Sequence, residues 1–439
     1  MSFTVKQSNS SSLTMNYSSY KTELSKRRRG VITRELTKIA YSAPNSLVSL
    51  AEGMPNEKTF PFTEISVKLY DGSSFTLEES ELSKALQYIP TQGYPPLLQT
   101  LREFQRRVHA PPLWESRDIV IVAGAQDGLS KTLESVIGTG DPIIVPDPIY
   151  PGVEVVVTPH QAELIPISQD DRGIIPEDMR EILRKRILSG KKMPKIMYIN
   201  PTGSNPTGVI IPLERRKEIY RLACEYDFLI LDDDPYCFLN YSDEKPKSFL
   251  SLDTEGRVIR IDSFSKVISS GMRIGFITAP APLLASIELH LQSSHLHAPS
   301  LSQVMLYKLF KIWGYEGMMN HMNRIKYFYK ERRDVIVSLV KKHLNGLVDF
   351  AIPNSGFFLW IKVRGINDTW QMMMQKGIAK GVIMAPGASF TTDLSKPSNA
   401  IRASFSKASY EEMNLAMERL ANLIRMELAD NDALQNLNS

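Results

Sequence analysis

Between Asp262 and Gly275 the chain reads DSFSKVISSGMRIG, with Lys266 just after Ser263 and Ser265 and Arg273 seven residues further on. A lysine amine can form a Schiff base with an aldehyde, and desolvation or a nearby cation lowers its pKa enough for it to react. Two serine hydroxyls and an arginine are directional donors for a phosphate. The same letters also suit a solvated loop in which Lys266 is plain surface charge.

Four other stretches carry residue types that bear on this choice. AGAQDGL (123–129) offers small residues ahead of a helix start; free backbone N–H groups there suit a phosphate, though a structural turn reads the same way. PDPIYPG (146–152) presents Tyr150, which can stack on a planar ring or simply cover the core. NPTGSNPTG (200–208) repeats a turn-forming tetrapeptide, and both copies cannot hold one position. DDDPY (232–236) ends an apolar run with three acids. Strand alternation puts Asp232 and Asp234 on one face and Asp233 on the other, and buried carboxylates need positive partners. A protonated ring nitrogen is one such partner. A bound metal is the rival, disfavoured because no histidine lies nearby in sequence, so no metal is expected.

Each of these stretches follows an apolar, β-branched run. Strands are predicted at 119–122, 142–145, 163–167, 195–199, 228–231, 258–261 and 274–278, with helices at 127–138, 177–189 and 213–227 between them. Strand–helix alternation with near-continuous apolar strands predicts an α/β fold, a mostly parallel seven-stranded sheet between helices. Ligands gather at the carboxyl ends of such strands. The strand ends supply phosphate donors, an aromatic ring, an amide, an acid and a lysine, and pyridoxal phosphate has an aldehyde, a phosphate, a pyridine nitrogen and a ring hydroxyl to match. After about residue 300 the pattern changes to a long helical stretch (301–344), strands at 357–363, 381–387 and 401–406, and a closing helix. That reads as a smaller α+β domain. Ser409 and Glu412 form a capping box for the closing helix, whose apolar stripe is Met413, Met417, Leu420 and Ile424.

The 439 residues suffice for a large and a small domain. A formal net charge of +4 is too weak and dispersed to argue for nucleic acid, and no apolar run is long enough for a membrane span. The two cysteines, Cys224 and Cys237, have no metal-like spacing. Cys224 is expected to be a buried structural thiol, and the usage suits a reducing compartment. A cytoplasmic protein is expected, with a mitochondrial transit segment as the alternative. Neither G-x-G-x-x-G nor G-x-x-x-x-G-K-[ST] occurs, which speaks against a nucleotide-binding protein.

NPTG (205–208), DDPY (233–236), SFSK (263–266), MRIG (272–275) and RASFS (402–406) occur in an order and spacing that resembles the pyridoxal-phosphate enzymes of fold type I, the class I/II aminotransferases. The resemblance runs from Met15 to about residue 427. SLAEGMPNEKTFPF (49–62), LQYIPTQGYPPLL (86–98) and GFFLWIKVRGIND (356–368) are most similar to the kynurenine/2-aminoadipate aminotransferases. The resemblance implies that Lys266, Asp233 and Tyr150 form the catalytic set: Lys266 holds the cofactor, Asp233 pairs with its ring nitrogen and Tyr150 stacks on its ring. By the same resemblance Asn205 and Tyr236 bond the phenolic oxygen, so the second NPTG copy is the functional one. Ala125, Gln126, Ser263, Ser265 and Arg273 are implied around the phosphate, with Tyr88 reaching in from the other copy of a homodimer. Ala125 stands where some relatives carry a hydroxyl, so one side-chain donor is lost there. Arg402 is implied as the clamp on the substrate α-carboxylate, with Asn205, Gly53 and Arg34 as further substrate contacts.

The implied reaction is ping-pong transfer of an amino group from an amino acid to a 2-oxo acid, 2-oxoglutarate being the expected acceptor. A β-lyase or decarboxylase on the same fold is the alternative. The implied division is a flexible extension (1–15), an arm contributing to the small domain and substrate site (16–60), a large cofactor domain (61–315), a small domain (316–428) and a flexible tail (429–439).

Overall fold

The computed structural model describes residues 15–42, 49–51, 53–242 and 246–438. The expected extension 1–15 lies outside the described residues apart from Met15. Strands in chain order are β1 (Glu64–Lys68), β2 (Ser74–Glu78), β3 (Arg117–Val122), β4 (Pro142–Asp147) and β5 (Glu163–Asp170). They continue with β6 (Gly173–Ile174), β7 (Ile196–Ile199), β8 (Leu229–Asp233), β9 (Val258–Ser263) and β10 (Gly275–Pro280). The last four are β11 (Val348–Phe350), β12 (Phe358–Val363), β13 (Ala385–Pro386) and β14 (Ala400–Ser404).

Contacts divide the chain into two units. The first combines Met1–Thr139, Ile219–Pro235 and Lys247–Met318, and the second Gly140–Glu218, Tyr236–Pro246 and Met319–Ser439. In the first, the strands run β3-β10-β9-β8, with β8 and β9 parallel and β10 antiparallel to both β9 and β3. Ile119, Ile121, Leu229, Ile230, Ile259 and Ile277 are fully buried, as strands covered on both faces require. Helices Pro95–His109, Ala125–Val136 and Ala281–Ser294 belong to this unit. So does the hairpin β1–β2, whose turn contains Asp71-Gly72. Near its start the chain is hooked down by two buried tyrosines: Tyr17 donates its hydroxyl to the Gly256 carbonyl at 3.0 Å, and Tyr20 to Asp227.

In the second unit the order is β7-β4-β5-β6, with β4 parallel to β5 and β7 and β6 antiparallel to β5. A separate antiparallel sheet runs β11-β12-β14-β13. The expectation of seven strands falls one short, because β6, two residues long, turns back along β5. The strand expected over 381–387 shrinks to Ala385–Pro386. Proline has no N–H to continue the ladder, and only Ala385 and Pro386 find partners in β14. The expected single helical stretch near 301–344 is the run Ser300–His343 broken at Gly314, whose φ of 60° only glycine adopts readily.

The last helix, Tyr410–Asn438, starts as the capping box predicts. The Ser409 N–H donates to Glu412 at 2.7 Å, and the Glu412 N–H to Ser409 Oγ at 3.1 Å. Met413, Met417, Leu420 and Ile424 are all buried. Cys224 departs from expectation: it is half-buried, and desolvation pushes its thiol up to about 11.

Candidate active site

The candidate residues fall into two groups, one in each unit. In the first unit the sheet register does the positioning. Gly275 pairs with Val122 on one side and with Ser263 on the other, so three strand ends come level. Ala123–Gln126 leave the first of these ends, Ser265 and Lys266 follow the second, and Arg273 precedes the third. Gly275 must be a glycine here: a Cβ would lie 2.9 Å from the Asp262 carbonyl oxygen and 3.0 Å from the Ala125 nitrogen. Ala125 and Gln126 open the helix Ala125–Val136 after Gly124, which has a φ of +89°. The backbone N–H groups and positive dipole end of a helix start favour an anion.

Arg273 is exposed and lies over this helix start. Its Nη2 donates to the Ala123 carbonyl at 3.1 Å, and its Nη1 to the Ser270 carbonyl at 3.1 Å and Ser265 Oγ at 3.5 Å. A Cβ on Gly124 would sit 2.2 Å from Nη2, so the glycine clears room for the guanidinium. The Ser265 N–H donates to Ser263 Oγ at 3.2 Å. Lys266, Ser263 and Ser265 are all half-buried.

Asp233 closes β8 and is 5% exposed, between Asp232 at 0% and Asp234 at 2%. The predicted alternation holds. Asp232 and Asp234 both accept from Arg260, and Asp233 points to the other face.

The second group gathers around Arg402 on β14. Its Nη1 donates to Asn205 Oδ1 at 2.8 Å, and its guanidinium lies 4.3 Å from the Phe358 ring centre and 4.8 Å from that of Phe390. Burial lowers its pKa, while the Tyr236 and Tyr150 hydroxyls pull the other way. Its Nε is buried and has no hydrogen-bond partner among the described residues. Tyr236 meets Phe357 and Phe358 edge-on at 5.4 and 6.0 Å. Tyr150 precedes the helix Pro151–Val157, and the Ile149 N–H just before it donates to the Phe390 carbonyl at 2.7 Å.

The duplicated NPTG resolves into two different tasks. Asn205, in the second copy, faces Arg402. Asn200, in the first, accepts the Asn205 backbone N–H on its Oδ1 at 2.9 Å. Gly203 and Gly208, at φ +64° and +73°, let the loop press on β12 and the turn before it, where a Cβ would come within 2.7 Å of Gly356 N and of the Phe358 carbonyl oxygen.

Three candidates lie apart from these groups. Arg34 is buried against residues 89–91, donating to Thr91 Oγ1 at 3.2 Å and to the Ile89 carbonyl. Tyr88 is 44% exposed, with its ring edge-on to His297 at 5.8 Å. Gly53 is exposed, with nothing among the described residues within 4 Å of the place a Cβ would take.

Sequence reasoning missed Asn200, Arg260 and the two rings around Arg402. Arg260 had a visible signal, a cation at an inward position of the apolar strand Val258–Ser263 with the same parity as Asp262. The rings had none, because Phe358 and Phe390 look like ordinary core residues.

The family model "Aminotransferase class I and II" matches residues 47–420. The chain belongs to that family. Among individual relatives, this aminotransferase is 43% identical to the mitochondrial kynurenine/alpha-aminoadipate aminotransferase of Mus musculus, over 94% of this chain and all of that one. Among solved structures it is similar to aminotransferase Aro8 from Candida albicans, at 25% identity and a TM-score of 0.84, covering 94% of this chain and 99% of that one. It is also similar to a Pyrococcus horikoshii kynurenine aminotransferase in complex with PMP, with KYN as substrates and KYA as products, at 30% identity and a TM-score of 0.75, covering 95% of this chain and 100% of that one. The α/β fold with a large, mostly parallel sheet and a smaller domain is the fold of these enzymes. No helix among the described residues is long and apolar enough to cross a membrane.

Proposed function

We propose that this aminotransferase uses pyridoxal phosphate to move the amino group of 2-aminoadipate, kynurenine, an aromatic amino acid or methionine to 2-oxoglutarate, in two half-reactions. The donor set fits the cofactor. A helix start, two serines and Arg273 suit a phosphate, and an acid flanked by partnered acids suits a ring nitrogen. The Pyrococcus relative's complex with PMP, the aminated form of the cofactor, supports the choice.

When bound, the cofactor supplies an aldehyde carbon and an electron-withdrawing ring. Lys266 would hold that carbon through Nζ, and the same nitrogen would take up the α-carbon proton of the amino acid. Asp233 holds the ring-nitrogen proton in place, while Asn205 and Tyr236 donate to the phenolic oxygen and Tyr150 covers one ring face. Ala125, Gln126, Ser263, Ser265 and Arg273 hold the phosphate. Arg402 clamps the substrate carboxylate, and Arg34 and Gly53 contact the rest of the substrate.

The observation that carries this reading is the buried, partnerless Nε of Arg402 beside an Nη1 already turned to Asn205. A guanidinium held between rings with one donor unmet calls for a planar anion, and a carboxylate takes two parallel bonds. Lys266→Ala protein is expected to lose the visible absorption band of the bound cofactor and roughly a thousandfold or more of its transamination rate. A wild-type rate in that variant would remove Lys266 from the reaction. A panel of donors followed through the cofactor's absorbance in single half-reactions ranks the substrates.

The homodimer is part of the same proposal: Tyr88 of the partner subunit completes the phosphate shell, and its 44% exposure supports this. A monomeric mass in solution would refute it. Two free thiols suit a reducing compartment, cytoplasm or mitochondrion; cell fractionation decides between them.

A further inference from the structure

Beneath Asp233, on the face it turns away from, lies a buried ionic cluster. Arg260 of β9 has no solvent exposure. Its Nη1 donates to Asp232 at 2.9 Å and to Asp234 at 3.2 Å. Its Nη2 donates to Asp262 Oδ1 at 2.8 Å, and its Nε reaches both oxygens of the same carboxylate at 3.0 and 3.1 Å. The amide of Gln105, from the helix Pro95–His109, donates to Asp262 Oδ2 at 2.6 Å and to Thr278 Oγ1 of β10 at 2.9 Å. One helix and three strands are thus joined through a single guanidinium and a single amide.

The register shows what the cluster is joined to. Arg260 pairs with Asp232 on one side and with Thr278 on the other. One residue further along lies Asp233 opposite Ile261, and two beyond that Ser263 opposite Gly275. Every carboxylate that Arg260 grips is therefore the chain neighbour of a proposed cofactor contact: Asp232 and Asp234 flank Asp233, and Asp262 precedes Ser263.

We infer that Arg260 is a positioning residue for cofactor binding, setting the height and direction of Asp233 and Ser263 through the three carboxylates it holds. The inference rests on the reading of Asp233 and Ser263 as cofactor contacts. A planar fork is needed because the acceptors are met from three separate nitrogens, Nε, Nη1 and Nη2, and the single nitrogen of an ammonium cannot reach all of them. Burial also pushes the Asp262 carboxyl up, against the pull of Arg260. Without the guanidinium the three acids would repel one another in a dry interior, and the two strand ends would move apart.

The matched control is on the same sheet. Arg117 at the far end of β3 pairs with Asp253, and both side chains are as fully buried as Arg260. Arg117, however, flanks no proposed cofactor contact. Arg260→Lys and Arg117→Lys are prepared as full-length protein, and melting temperature, pyridoxal phosphate affinity, kcat and KM are measured for each. Both are expected to melt lower than wild type. Only Arg260→Lys is expected to weaken cofactor binding, by about tenfold, and to lower kcat while leaving KM for the amino acid within about twofold. Equal losses of affinity in both variants, or none in Arg260→Lys, would reduce the cluster to a generic stabiliser. If Arg260→Lys does not fold, Gln105→Met decides: it removes the brace on Asp262 without stranding a charge, and the expected change is a threefold-or-so weaker affinity at unchanged KM. An unchanged affinity there overturns the proposal. Failure of the underlying reading would look different, since the Lys266→Ala protein would then keep the wild-type cofactor band.

Discussion

The two candidate groups each contain an arginine proposed to meet an anion, and they hold it in opposite ways. Arg273 is exposed, in a left-handed backbone conformation at φ 54°, and is caught by two carbonyls and a serine. Arg402 is enclosed by two aromatic rings and an amide, and burial depresses its pKa. The proposed ligands explain the difference. A cofactor phosphate stays through every turnover and carries enough charge to be held in water. A substrate carboxylate leaves and returns twice per cycle and carries one charge. Its clamp gains from being desolvated and pre-aimed, because less is then lost on reordering at each arrival.

This contrast can be tested from its largest consequence downward. Arg402→Lys should raise KM for donor and acceptor alike by roughly 10- to 100-fold, because the fork geometry and the ring stacking are lost together. Cofactor affinity should stay at the wild-type value; if titration finds it lowered instead, the two groups are not separable as described. Gly124→Ala should act in the converse way. A methyl at φ +89° is strained and displaces the Arg273 guanidinium, so cofactor affinity should fall about five- to tenfold with KM unchanged. Equal KM and affinity losses would count against Arg273 as a phosphate anchor.

The smallest effect concerns the helix behind the first group. His290 on the helix Ala281–Ser294 contacts Glu134 on the helix Ala125–Val136 at 3.2 Å. Desolvation, helped by Arg28 and Lys131 and opposed by Glu134, lowers its pKa to about 4. The unfolded chain takes up this proton near pH 6.5 and the folded chain does not, so the stability is complete above about pH 6.5 and is lost as the pH falls toward 4. The melting temperature should drop between pH 7 and pH 5, and His290→Gln should drop less, by roughly a few degrees. Parallel pH profiles for the two proteins would show that His290 is not the group responsible.

Much of the scaffold was readable because strand alternation and strand–helix order are local. The seven main strands appear where the β-branched runs predicted them, and Asp232, Asp233 and Asp234 divide between faces as period two requires. The closing helix starts on the capping box it announces. What was lost depended on distant partners or on backbone freedom. Gly314 breaks a helix whose letters otherwise continue it, and β13 is short because only two of its residues meet β14. The hairpin β1–β2 was not among the predicted strands, although Asp71-Gly72 at its turn is a hairpin signal. The rings around Arg402 come from β12 and the 387–390 turn, and no spacing rule links them to an arginine on β14. Asn200 reads as a redundant copy until its amide is seen holding the Asn205 backbone.

The two tyrosines near the start of the chain bear on how the enzyme should be handled in the laboratory. Tyr17 and Tyr20 seat their rings in the first unit and bond Gly256 and Asp227. An expression clone opened at residue 21 would leave two ring-sized voids, whereas one opened at Met15 keeps the latch intact. A protease cut after the exposed Arg29 would leave the preceding peptide docked by those same rings, so an apparently nicked preparation can migrate as two pieces on a denaturing gel and still elute as one particle.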